Sequence, residues 1–269
     1  MKLSFTTMAT PELSVAEQVA VAKKFGFHGI DLRVIERGAG EIPIDLSEND
    51  AMNVLKCTEG IQLPTLLSYN EKLQAGFERM VESIQQYTKL ACRLRIPAIR
   101  IFTGKIESEA DMQLLVRVLK AVLELDTTGT HLAIQNHINC SVTIHQALEL
   151  CERICDSRVS VILSADNAVL EGEDFWDVVP ELAKYVSQVY IADLDASGHY
   201  VFPGTGIVQN DKILQILYDH EFDGYVTFKW EKCWYPELPS YDTAFGEFRL
   251  WVEGLPTFDV KSGGKLCFE

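Results

Sequence analysis

Long apolar runs are missing from this 269-residue sequence: nowhere do roughly 18 apolar residues follow one another, so no membrane-spanning helix is expected. The opening stretch MKLSFTTMATPEL has no apolar segment of signal-peptide length, so a cytoplasmic location is expected. Positive charge is scarce. Lys and Arg total 24 against 39 Asp and Glu, a formal net charge of −15. Such a balance repels a phosphate backbone and argues against nucleic acid as a partner. The seven cysteines (Cys57, Cys92, Cys140, Cys151, Cys155, Cys233, Cys267) are an odd number and contain no CxxC pair. Reduced thiols are expected rather than a disulfide framework. Nor does a GxGxxG follow an early strand, which removes the usual mark of an open dinucleotide-binding sheet.

What the chain does have is alternation. Short β-rich runs recur at 3–7, 29–33, 62–68, 98–103, 131–137, 159–164, 188–193 and 225–230. Amphipathic stretches separate them, as where Leu114, Leu115, Val118, Leu119, Val122 and Leu123 mark one face of a helix. Ser47, Ser108 and Thr143 stand where helices should start, and Gly26, Gly60 and Gly129 where they should stop. Strand alternating with helix implies a parallel sheet, and eight such units can close into a single (β/α)8 TIM barrel over residues 1–254. The tail 255–269 lacks periodicity and lies outside the eight units.

In such a barrel, function gathers at the C-terminal ends of the strands. The runs end in Asp31 and Arg33, Ser68, Arg100, Gln135 and His137, Ser164 and Asn167, Tyr190 and Asp193, and Lys229 and Glu231. That much polarity points to a solvated pocket.

Five segments carry a resemblance: FHGIDLR at 27–33, IPIDLS at 42–47, AIRIFTG at 98–104, AIQNH at 133–137 and DGYVTFKWEKCWYPELP at 223–239. Over nearly its whole length the chain resembles the xylose-isomerase-like TIM barrels, the sugar phosphate isomerase/epimerase superfamily that also includes endonuclease IV. The resemblance implies the barrel fold, chemistry on a sugar-like molecule, and one divalent cation held by four side chains from the last four strands. Carried onto this sequence, those four positions are Gln135, Ser164, Tyr190 and Lys229, and all four differ from the family's carboxylate and imidazole ligands. Gln135 keeps a carbonyl oxygen without the charge, Ser164 is a poor ligand, and Tyr190 would have to ionise. Lys229 decides the matter, because an ammonium offers three donors and no acceptor.

The expectation is therefore a degenerate metal site, with no metal and no cofactor, binding a small sugar-like or polyol ligand. Gln135, Arg33, Arg100, Asn167, Asp193 and Trp234 are the candidate contacts. An active enzyme remains open, moving a proton alpha to a carbonyl through Lys229, Glu231, His137 and Tyr190. A desolvated Lys229 of lowered pKa could form a Schiff base, though a paired structural lysine is the plainer reading. His137, Asp166, Asp193 and Glu231 could form a relocated metal site; more simply, the carboxylates neutralise Lys229 and Arg100. Trp230 reads as packing, and Trp234 with Tyr235 as either a sugar-stacking wall or loop packing. PGTG at 203–206 reads as a tight turn, and association into a homo-oligomer stays open.

Overall fold

The computed structural model describes residues 1–35 and 40–256. The expected tail 255–269 lies outside the described residues except for Leu255 and Pro256, and Cys267 lies outside them too. The other six cysteines are free. Eight parallel strands close the barrel: β1 (Lys2–Thr6), β2 (Gly29–Arg33), β3 (Thr65–Leu67), β4 (Ala98–Ile101), β5 (His131–Gln135), β6 (Val159–Ser164), β7 (Val186–Ile191) and β10 (Tyr225–Phe228). Closure falls between β1 and β10, whose register sets Ser4 beside Thr227 and Phe5 beside Phe228. After β7 the chain makes a small antiparallel hairpin, β8 (Asp193–Leu194) with β9 (Tyr200–Val201), which no sequence pattern announced.

The longer helices start and stop for local reasons. Ser47 Oγ accepts the Asp50 amide ahead of α2 (Glu48–Cys57), and Ser108 Oγ the Asp111 amide ahead of α4 (Glu109–Leu125). Thr143 and Gln146 exchange side-chain and backbone bonds at the start of α5 (Ile144–Ile154). Such caps are worth about 1 kcal/mol each. Gly26, Gly60 and Gly129 all have positive φ, as the expected stops require. At β6 no loop intervenes: Ser164 passes directly into α6 (Ala165–Glu171), so Asp166 and Asn167 stand in the first turn of a helix.

Several strands are shorter than their sequence patterns. Pro64 cannot donate to the ladder, and β3 begins only at Thr65, with an isolated bridge between Gly29 and Gln62. Beyond Ile101 the backbone turns to side chains instead of a neighbouring strand. Asn70 Oδ1 accepts the Phe102 amide and Ser141 Oγ that of Thr103. Polar groups at the strand ends thus take over the hydrogen bonds that a longer strand would have made.

The core has two parts. An apolar layer fills the space between strands and helices; in it Phe245 and Phe248 of α9 (Tyr241–Glu253) pack ring against ring with Phe5, Phe27 and Phe228. The barrel interior is more polar. Gln188 Nε2 donates to Asp31 Oδ2 and to Thr227 Oγ1, both at 2.6 Å. Thr65 Oγ1 donates to Gln188 Oε1, and Ser4 and Thr227 share a hydroxyl bond of 2.7 Å. Leu67, Ala133, Ile162 and Tyr190 form a small apolar cluster of their own.

Candidate functional site

A cavity of about 610 Å³ opens at the C-terminal ends of the strands. A larger cleft, about 1520 Å³, lies at the opposite end among residues at the strand starts, such as Thr65, Ala98, His131 and Tyr225. The smaller one holds the buried charges and sits where strand-end loops converge, so it is the candidate site.

Lys229 forms its floor. One residue past β10 and 1 % exposed, its ammonium donates to Asp166 Oδ2 at 2.6 Å and lies 3.4 Å from Glu231 Oε1. Ser164 Oγ, 3.4 Å away, in turn donates to Asp166 Oδ1 and accepts from Asn167 Nδ2. The immediate passage of β6 into α6 is what turns Asp166 toward the lysine. Burial works against the Lys229 charge, but Asp166, Tyr200 and Glu231 outweigh it and raise the pKa above the ordinary lysine value. The lysine is thus paired, as the plainer reading had it, and the lowered pKa on which the alternative Schiff-base nucleophile depends is not found. Burial also raises the Glu231 carboxyl, against the opposing pull of Lys229.

Arg100 enters from β4. Its Nη2 donates to Ser68 O at 2.8 Å and its Nη1 to Gln135 Oε1 at 3.4 Å, and the guanidinium lies 4.2 Å from the Phe102 ring centre and 5.1 Å from that of Tyr69. It meets no carboxylate in an ion pair among the described residues, contrary to the expected neutralisation. His137 lies beside Phe102, with Nδ1 near Ile138 O and Cys140 Sγ. Burial and the nearby Lys229 push its pKa down to about 4, so the ring is neutral at pH 7.

Of the expected site residues, Lys229, Glu231, His137, Gln135, Arg100, Asn167 and Trp234 line the cavity together. Tyr190, Arg33 and Asp193 do not. Tyr190 is fully buried in the barrel interior, its hydroxyl 3.4 Å from Asp31 Oδ2, and burial holds its pKa well above the usual phenol value. Arg33 pairs with Glu41, donates to Cys233 Sγ at 3.0 Å, and lies beneath the Trp234 ring. Expected as a ligand contact, Arg33 is instead held by Glu41, a partner from the loop after β2. Asp193 is occupied by backbone. Its two oxygens accept the amides of Leu194, Gly204, Gly206 and Val208 at 2.9–3.0 Å, which ties down the PGTG turn.

Tyr200, Lys72 and Tyr69 complete the wall and were not singled out from sequence. Tyr69 and Lys72 follow β3, so strand-end logic could have reached them. Tyr200 arrives on the unannounced hairpin and packs at 5.3 Å against Tyr235. Trp230 points away from the cavity, stacking on Phe202 and Phe228 and donating to Pro239 O. No helix among the described residues is long and apolar enough to cross a membrane.

A family model described as xylose isomerase-like TIM barrel matches residues 19–249. No curated protein matches the chain. Among solved structures, the chain is similar to the IOLI protein with a bound zinc atom (TM-score 0.77, 18% identity, covering 95% of this chain and 98% of that one). It is similar also to D-psicose 3-epimerase in the presence of D-fructose (0.74, 14% identity, 95% and 99%). A third is 3-keto-D-glucoside 4-epimerase YcjR from E. coli (0.72, 15% identity, 93% and 98%). At these identities the likeness is one of fold.

Proposed function

We propose, from the premise that the chain belongs to the xylose isomerase-like TIM barrel family, that it binds a small sugar-like or polyol ligand in its C-terminal cavity without a divalent metal. The observation that carries this reading is the buried Lys229 ammonium between Asp166 and Glu231. The residues at the family's four ligand positions do not fit a hard dication. Tyr190 keeps its proton, Gln135 and Ser164 bring no charge, and Lys229 would repel the ion by several kcal/mol even at an effective dielectric of about 20. Among the described residues, no three His, Cys, Asp or Glu side chains gather into a group that could hold a metal ion. The class of ligand is supported by the epimerases of sugars among the structural neighbours and by the wall of Trp234, Tyr235 and Tyr200. Aromatic faces of that kind cover the C–H faces of a sugar while the polar groups opposite take its hydroxyls.

Calorimetric titration of metal-stripped protein with Mn2+ and Zn2+ tests the reading. Wild type is expected to bind neither in the cavity, and Q135E/S164D/Y190H/K229E to gain binding. A wild-type protein that retains a divalent cation at the Lys229 position would overturn it.

One observation favours a second reading, an isomerase, epimerase or lyase acting alpha to a carbonyl. Glu231 has a raised pKa at the cavity edge and His137 is a neutral base in the same wall. Solvent deuterium incorporation into a ketose, followed by NMR and lost in Glu231→Gln, is the outcome this reading requires.

A further inference from the structure

Arg100 is 2 % exposed and has no carboxylate partner. A guanidinium carries five N–H donors. Here Nη2 is bonded to Ser68 O, Nη1 makes a long contact with Gln135, and Nε is buried with no partner. Phe102 and Tyr69 lie against its faces and leave the edge of the guanidinium as the part that meets the cavity. Burying a charge in this way is costly unless something completes it.

Glu231 and Asp31 feel the Arg100 charge, but neither forms an ion pair with it among the described residues. Glu231 and Asp166 are committed to Lys229. Asp31, beneath, is bonded to Gln188 and Tyr190, and burial pushes its carboxyl up to about 7. A second cation, Lys72, lines the same cavity and makes no ion pair among the described residues. Among the residues that line the cavity, three are cations (Lys72, Arg100, Lys229) and one is an anion (Glu231), while Asp166 pairs with Lys229 from beneath. The excess is positive in a chain whose net charge is −15. An acidic surface around a cationic pocket would repel anions in general, so the pocket's sign calls for a ligand that holds on locally.

We propose that the ligand carries an oxyanion, a carboxylate or a phosphate, seated on Arg100 with Lys72 beside it. This rests on the sugar-like reading of the cavity and narrows it: the molecule is an acidic sugar derivative, its anionic end toward β3 and β4 and its hydroxyls toward Lys229, Glu231 and Asn167. Arg100 suits the task because its planar fork matches a carboxylate or phosphate, whereas Lys72 acts as a point charge.

The test titrates D-glucose, D-glucuronate, D-glucose 6-phosphate and inorganic phosphate into wild type, R100Q and K72A at low ionic strength. At least one anionic sugar is expected to bind roughly tenfold or more tightly than D-glucose, and added salt should erode the difference. Preference for glucuronate marks a carboxylate site and preference for glucose 6-phosphate a phosphate site. R100Q should abolish the advantage and K72A reduce it. Should R100Q fail to fold, K72A, at the half-buried rim, carries the comparison.

If D-glucose binds as tightly as the anions, or neither variant alters anion binding, the oxyanion site falls and the sugar reading stands. If no sugar binds but phosphate does so in an Arg100-dependent way, the anion site stands and the sugar reading falls. Silence from all four probes overturns it as well.

Discussion

Two residues set the chemistry of the interior, and each makes a measurable demand. Lys229 is held by Asp166 and Glu231, so Lys229→Met leaves two buried carboxylates without their cation. The loss is expected to be roughly 3–5 kcal/mol in urea unfolding at pH 8, smaller at pH 5, and partly recovered by adding Asp166→Asn. Asp31 behaves in the opposite way to a salt-bridged acid. Burial raises its carboxyl to about 7, so in the unfolded chain the proton leaves first as pH rises. Its contribution is present below the ordinary aspartate range and is lost as pH climbs through about 7. Asp31→Asn should therefore raise stability at pH 8 by roughly 1–3 kcal/mol and change little at pH 4, as pH-dependent thermal melts would show. The sequence made Lys229 legible, since an ammonium in the metal's position is conspicuous by type alone. It did not make Tyr190 or Asp193 legible. Strand parity says that a side chain points inward, but not whether it reaches the cavity or stops short beneath it. Three of the four amides that Asp193 accepts come from eleven to fifteen residues on, in a turn whose path no periodicity reveals.

At the scale of elements, the hairpin after β7 is the piece on which the cavity wall depends. Asp193 anchors its return, and a Cβ at Gly206 would overlap both the Asp193 carboxylate and Leu194 O. Asp193→Asn keeps the shape but has one acceptor oxygen, leaving amides of the 204–206 turn unpaired. That should cost about 1–3 kcal/mol and raise hydrogen exchange at Gly204 and Gly206. Ligand binding is expected to weaken in step, because Tyr200 rides on the hairpin and packs on Tyr235. An unchanged exchange pattern would show that the turn holds without the carboxylate. The helix boundaries were readable because caps are local chemistry. The hairpin's strands, two residues each, are too short to print an alternation.

For the whole molecule, eight alternating units allow a barrel and the family resemblance favours it over an open sheet; the ladder order closes it as expected. Closure has a further consequence, which follows from the hydroxyls and amides inside the barrel. Ser4 and Thr227, 223 positions apart, share a proton bridge, and Gln188 reaches from β7 to Thr65 and Asp31 on β3 and β2. These side chains have partners only if the first and last strands meet in one alignment. A slip by a single residue would turn them outward into the apolar helix layer. Half of this barrel on its own would be left with orphaned donors along its open edge, so the protein has reason to assemble as an indivisible ring, its final strand acting as the key to a lock built into the first three.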